Sequence, residues 1–427
     1  MNSDERTRLE TLQRKTHAHL ENEYIPFWLK RAPDPVHGGY LTNFDEHGRA
    51  MNNPQKLIVS QMRLLWWFAR LNRHDPAVEI YRQRAEAGLD FVLRHFWDER
   101  NGGWFWTTER DGTLLISDKI TYGQSFAIYA LAEYTLSTGD PRGLDYANRT
   151  CDVLQAHVWD AVNGGYFDRF TVDWVLSFEK PFPGSIKTLN THMHLLEAWT
   201  TLVQASPLEA HRQQLQALID LIVNRMIDAN GTGLQAFDRR WHLLPEYYRP
   251  SRQTRILQIM LEIIAGPNKL PYRLSYGHNI ELAWLLRLAL QTAGSEIARY
   301  EPSIRALTDH TLTHGVDWEI GGIFFDGLVN GGVTGMKKEF WQHAEALTGF
   351  LDGYEYFGDE RCLQAAENVW RFVEQHMIVR GIGEWHSIVS RAGGRINPET
   401  GHIWKVAYHV GRALLECDER LTRLLSR

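Results

Sequence analysis

The chain has 427 residues, 44% hydrophobic and 12% aromatic, with 16 tryptophans and a formal net charge of −6. That is apolar material for a large core, and so many flat indoles suit stacking on sugar rings. The charge is spread without a basic stripe, so nucleic acid is not an expected partner, and no apolar run reaches membrane-spanning length.

The first residues, MNSDERTRLE, are charged from the start and do not read as a signal peptide. Cys151, Cys362 and Cys417 are odd in number and far apart, which suits neither a disulfide framework nor a zinc site. The expectation is a soluble, cytoplasmic protein with no membrane contact; a homodimer is left open.

In chain order, apolar residues three and four apart predict a helix over 5–30, followed by HGGYLTNFDEHG from His37. Helices over 57–73 and 77–97 lead to NGGWFWTTERDG from Asn101. Helices over 119–138 and 142–158 lead to NGGYFDRFTVDW from Asn163, and those over 186–205 and 209–228 to NGTGLQAFDRRW from Asn230. The pairs 275–293 with 299–314, and 337–357 with 360–377, precede IGGIFFDGLVNGG from Ile320 and GIGEWHSIVSRAGG from Gly381. A last helix covers 404–424. Links within pairs carry turn residues, as in RHDP (Arg73–Pro76).

Each glycine mark reads as a short β-hairpin, with aromatics alternating beside glycine. The mark recurs six times at a spacing of roughly sixty residues, which is the signature of a repeat architecture. Six helix–hairpin–helix units make an all-α fold, an (α/α)6 barrel, because each unit alone leaves an apolar face that ring closure buries. An open solenoid is the alternative. The chain reads as one domain over 1–427, with an insertion at about 231–274 that contains ILQIMLEII (Ile256–Ile264).

Polar and aromatic residues stand near the starts of the inner helices: Arg63, Tyr122, Asn190 and His194, His278 and Glu281, Trp341 and Glu345, Trp404 and His409. Asn190 and His194 share a helix face, as do His278 and Glu281. In a barrel these helix N-termini converge on one end, where their partial positive charge favours an anion and disfavours a protonated imidazole. A neutral histidine then serves as a base near neutral pH, and Arg63 adds a fixed cation. The i+3 spacing makes Glu281 the expected orienting partner of His278. His192, His310 and His314 read as structural or solvated. No metal is expected: His192 and His194 face different sides of their helix, and there is no HExxH. No phosphate loop or other cofactor signature is present.

On NTHMHLLEAW (Asn190–Trp199), SYGHNIELAWLL (Ser275–Leu286), EFWQHAEAL (Glu339–Leu347) and WKVAYHVGR (Trp404–Arg412), the chain resembles the N-acylglucosamine 2-epimerase superfamily. Within it, the chain is most similar to cellobiose 2-epimerases and their mannose 2-epimerase relatives, over nearly its whole length. The resemblance implies an (α/α)6 barrel and reversible inversion at C2 of a reducing sugar through a cis-enediolate. It implies His278 and His409 as the acid/base pair, with Arg63, Asn190 and His194 at the reacting end. It further implies that Glu281 orients a histidine and that Trp341 and Trp404 pack on the sugar; Tyr122 and Glu345 are taken as further substrate-binding residues.

The chain departs from the family pattern at Asn279, Phe340, His343 and His386. Fewer aromatics there imply a weaker platform for a second sugar and favour a monosaccharide. The competing readings are an aldose–ketose isomerase on the same fold, a glycoside hydrolase using two opposed carboxylates such as Glu281, Glu339 and Glu345, and a sugar- or protein-binding member without turnover.

Overall fold

The computed structural model describes residues 2–177, 186–244 and 273–427. Helix α1 (Ser3–His19) continues through a π-helical turn, Leu20–Tyr24, into α2 (Ile25–Arg31). Then follow α3 (Ile58–His74), α4 (Glu79–Phe96), α5 (Thr121–Thr138), α6 (Pro141–Val153), α7 (Leu189–Ala205) and α8 (Glu209–Arg225). The last five are α9 (Tyr276–Ala293), α10 (Glu301–His310), α11 (Phe340–Phe357), α12 (Glu360–Phe372) and α13 (His409–Leu425).

Helices α3, α5, α7, α9, α11 and α13 form the inner ring, each packed on the next. In α3 every residue from Ile58 to Asn72 is buried, as expected of a helix with neighbours on all sides. The outer helices bury one stripe only, as α4 does with Tyr81, Ala85, Gly88, Leu89 and Val92. The ring closes between α13 and α3: Arg70 pairs with Glu419, and Gly411 lies so near the Trp67 indole that a Cβ there would sit 2.5 Å from it. That closure excludes the open solenoid. Among the described residues no helix is long and apolar enough to cross a membrane, and Cys151, Cys362 and Cys417 are buried and free.

The hairpins stitch consecutive units together. The residues leading into each inner helix pair antiparallel with the next hairpin: Gln55–Leu57 with Thr107–Glu109, Lys119–Ile120 with Arg169–Phe170, and Lys187–Thr188 with Ala236–Phe237. Arg273–Ser275 pairs with Asp326–Leu328, and Lys338–Glu339 with Ile388–Val389. A Phe44–Gly401 bridge completes the circle. Several inner helices therefore start later than periodicity predicts, because their expected first turns are extended and paired. The shift is largest in α13, which begins at His409 rather than 404.

A buried lysine explains the recurring motif. Lys56 pairs with Asp34 at 3.1 Å, Lys119 with Asp98 at 3.0 Å, Lys187 with Asp160 at 2.9 Å, Lys338 with Asp317 at 3.1 Å, and Lys405 with Glu384 at 3.0 Å. The first four ammonium groups also donate to the carbonyls of Gly38, Gly102, Gly164 and Gly321. Aiming that carbonyl inward takes two consecutive residues at positive φ, such as Gly102 (70°) and Gly103 (73°), where glycine carries no steric penalty. The fourth unit has Leu274 at the lysine position.

The described part of the region 231–274 holds a fourth hairpin, in which Phe237 bridges Leu243, and the strand Arg273–Ser275. ILQIMLEII lies outside the described residues.

Candidate active site

All six inner helices direct side chains from their first two turns into one cavity of about 370 Å³. Its wall includes Arg63 from α3, Tyr122 from α5, Asn190 and His194 from α7, His278 and Glu281 from α9, Phe340 and Trp341 from α11, and His409 from α13. The hairpins and the segment before α13 add Ser387, Ile388, Asn397, His402 and Trp404.

Nine of the ten expected site residues therefore meet. Glu345 does not line the cavity; it lies behind His409, fully buried one turn further along α11. Trp404 is not helical. It sits in a turn at the rim, 47% exposed, with its indole 6.1 Å from that of Trp106.

Arg63 is 3% exposed and has no carboxylate within ion-pair distance among the described residues. It donates to the Tyr122 hydroxyl at 2.8 Å and to the Trp404 carbonyl at 3.2 Å, and lies over the rings of Phe126 and Tyr408. A buried guanidinium held only by dipoles and rings keeps its charge available to an anion.

Three histidines face this cation. His409 donates from Nδ1 to Glu345 at 2.7 Å, and His194 from Nδ1 to Glu197 at 2.9 Å. Nδ1 of His278 meets not Glu281 but the side-chain oxygen of Gln235, at 3.2 Å. The expectation that Glu281 orients His278 is thus corrected: the shared helix face is real, but the Glu281 carboxylate reaches past the imidazole to Arg412. In all three histidines Nε2 has no hydrogen-bond partner among the described residues. Burial pushes His278 down to about 3 and holds His194 below and His409 well below the usual histidine range; for His409 the charges of Arg63 and Arg412 add to it. The site therefore presents neutral imidazoles. The Trp341 indole stands between two of them, 4.8 Å from His278 and 5.6 Å from His409.

Beneath the cavity, Arg412 of α13 binds Glu197, Glu281 and Glu345 together. Glu197 stays ionised, at about 2: burial opposes this, but the Arg412 charge and the His194 and Tyr408 hydrogen bonds outweigh it. Glu345 receives His409, Arg412 and the Trp284 indole N–H, three donors that suit a carboxylate. Glu281 has one oxygen without a partner among the described residues, and burial plus the nearby Glu345 charge raise it well above the carboxylate range. Burial raises Glu345 as well, against the pull of Arg412; its three donors favour the charge, whereas the unpartnered oxygen of Glu281 favours the proton there. Atoms of Glu281, Glu345 and His409 lie within 4.8 Å of one another, a spacing a metal would accept; the Arg412 guanidinium already binds both carboxylates. Glu339, the third acid, lines the cavity with Glu281 and accepts from Trp341 Nε1 and Lys337.

Residues 39–413 match the family model of N-acylglucosamine 2-epimerase. The chain belongs to that family. It is accordingly an enzyme of the isomerase class, from a family of carbohydrate epimerases. A cellobiose 2-epimerase of Bacteroides fragilis is 29% identical over 416 residues, covering 95% of this chain and 98% of the relative. The structure of the cellobiose 2-epimerase of Spirochaeta thermophila superposes with a TM-score of 0.84 at 28% identity, covering 99% of this chain and 100% of that one. A D-mannose isomerase of Marinomonas mediterranea is 25% identical, covering 95% of this chain and 96% of the relative.

This N-acylglucosamine 2-epimerase family member uses its departures from the pattern structurally. His343 takes the Ile323 N–H on Nε2 and gives Nδ1–H to the Glu339 carbonyl. His192 does the same between Tyr166 and Thr188, as its structural reading expects. Asn279 accepts the Gly233 N–H, and His386 is buried against the Pro398 carbonyl. Residues 397–402 and Gln235 carry no helical signal and went unrecognised in the sequence. The lysine that recurs before five of the six inner helices is the sequence signal that the hairpins abut the inner-helix starts.

Proposed function

We propose that this protein inverts C2 of a reducing aldose, with His278 and His409 as the two acid/base groups. The observation that carries this reading is two neutral imidazoles flanking Trp341 on a cavity that also holds the unpaired Arg63 cation.

The C2 proton of an open-chain aldose becomes acidic once the C1 carbonyl is polarised. Nε2 of one imidazole removes it, and negative charge spreads over O1 and O2 as a cis-enediolate. Arg63, Asn190 and the converging helix N-termini stabilise that charge in the manner of an oxyanion site. The second imidazole, protonated for its part of the cycle, returns a proton to the opposite face of C2. Exchange with solvent resets the pair. His194 is assigned to the proton shuttling of ring opening and closure at O1 and O5. Each acid/base group of this kind contributes about 10²–10⁴-fold.

We infer a monosaccharide as the better substrate. His343 and His386 are tied to the backbone and offer no ring to a second sugar; the aromatic rings on the cavity wall are those of Tyr122, Phe340, Trp341 and, at the rim, Trp404. The second reading is aldose–ketose isomerisation, favoured by the likeness to a D-mannose isomerase. It shares the enediolate and differs only in returning the proton to C1.

Proton NMR in D₂O, with D-mannose and with cellobiose, tests this. Deuterium at C2 of an epimeric aldose is the expected result, faster with mannose. Fructose from mannose moves the reading to isomerase. Free glucose from cellobiose with no C2 exchange rejects the histidine mechanism.

A further inference from the structure

Gln235 occupies the hairpin position that holds Trp106, Asp168, Phe325 and Ser387 in other units, each two residues beyond the hairpin's bridging residue. Its backbone carbonyl accepts the N–H of Leu189, the first residue of α7. Its side chain, 9% exposed as a residue, crosses to the start of α9. The amide can be oriented in one way only. Nε2 donates to the Gly233 carbonyl at 2.8 Å, so Oε1 faces Nδ1 of His278 at 3.2 Å. An amide oxygen only accepts, so Nδ1 of His278 carries the proton and Nε2 keeps the lone pair.

His409 reaches the same tautomer against a carboxylate, Glu345, at 2.7 Å. The two imidazoles share a cavity and a tautomer, but not the charge of the group behind them. A carboxylate stabilises imidazolium, and a neutral amide does so far less. The other groups facing His278 are His194 from α7, Glu345 and Glu339 from α11 and its lead-in strand, Glu281 on its own helix, and Arg63 and His409 across the cavity. Of these carboxyl groups, Glu281 and Glu345 accept from Arg412 and Glu339 from Trp341 and Lys337, and none hydrogen-bonds the His278 ring.

We propose that Gln235 is a positioning residue that locks His278 in the Nδ1–H tautomer and, by offering an amide in place of a carboxylate, keeps it a weaker base than a carboxylate partner would. This deepens the two-histidine reading of the site.

The test is ¹⁵N NMR of the imidazoles in the full-length protein, with His278 assigned by comparison with His278→Asn. The measurement does not depend on turnover. In the wild type His278 is expected as a single Nδ1–H tautomer. In Gln235→Leu the two tautomers become mixed. In Gln235→Glu the His278 titration rises by about one pH unit or more. A mixed tautomer in the wild type, or unchanged spectra in both variants, overturns the proposal even if the enzyme epimerises. A locked tautomer in a protein that never exchanges C2–H supports the lock and instead removes the two-histidine reaction. Where exchange occurs, Gln235→Leu lowers kcat with little change in KM.

Discussion

Glu345 accepts a 2.7 Å hydrogen bond from Nδ1 of His409 while the same oxygen accepts from Arg412. The carboxylate raises the proton affinity of the imidazole, and the guanidinium limits how far. Glu345→Gln keeps an acceptor and removes the charge. We expect turnover to fall about tenfold or more and the acid limb of the pH profile to move down, because the imidazolium loses its counter-charge. Steady-state rates from pH 4 to 9 check this; an unchanged profile would show that the carboxylate is only packing.

Removing the base itself has a larger effect. His409→Asn should cost about 10²–10⁴-fold in kcat with the fold retained, since the imidazole contributes its Nε2 to the cavity rather than to the core. Circular dichroism together with NMR detection of C2 exchange separates lost chemistry from lost structure.

Arg63 has no ion pair to lose, so Arg63→Met should spare stability. It should lower kcat by about 10²–10³-fold, the range for loss of a donor to a developing oxyanion. Thermal unfolding within a few degrees of wild type, alongside that rate loss, is the expected pair of results. A large stability loss with normal kcat among surviving molecules would contradict it.

Arg412→Met should destabilise by about 3–5 kcal/mol at neutral pH, because it strands buried carboxylates. Glu197, held at about 2 in the folded protein, lies below its unfolded value. Its contribution is therefore present above about pH 4.3 and lost as pH falls through 2. The variant's deficit in urea unfolding should accordingly hold from pH 7 down to about pH 4.3 and shrink as pH falls from there towards 2. A deficit independent of pH would point to packing rather than charge.

The lysine latches make a parallel case. Lys187→Met leaves the buried Asp160 carboxylate with only the more distant Arg239 cation, at 3.8 Å, and should cost about 3 kcal/mol. Asp160→Leu added to it should recover much of that, since an apolar pair bears no desolvation cost. Failure of the double variant to recover would assign the loss to the Gly164 and Arg239 carbonyls that Lys187 also binds.

The repeat, the six hairpin marks and the cluster of chemistry at the starts of the inner helices were legible in the residues alone. Helical periodicity and glycine pairs at positive φ are local properties, and Asn190 with His194 share a face by spacing alone. Local spacing misassigned Glu281 to His278, and placed Trp404 in a helix that begins five residues later. Which group backs which histidine is a matter of tertiary structure: Gln235 is 43 residues from His278, and Glu345 is 64 from His409. Those pairings exist only once the ring has closed, because α13 brings Arg412 to three helices' carboxylates at once and so decides which keeps its charge.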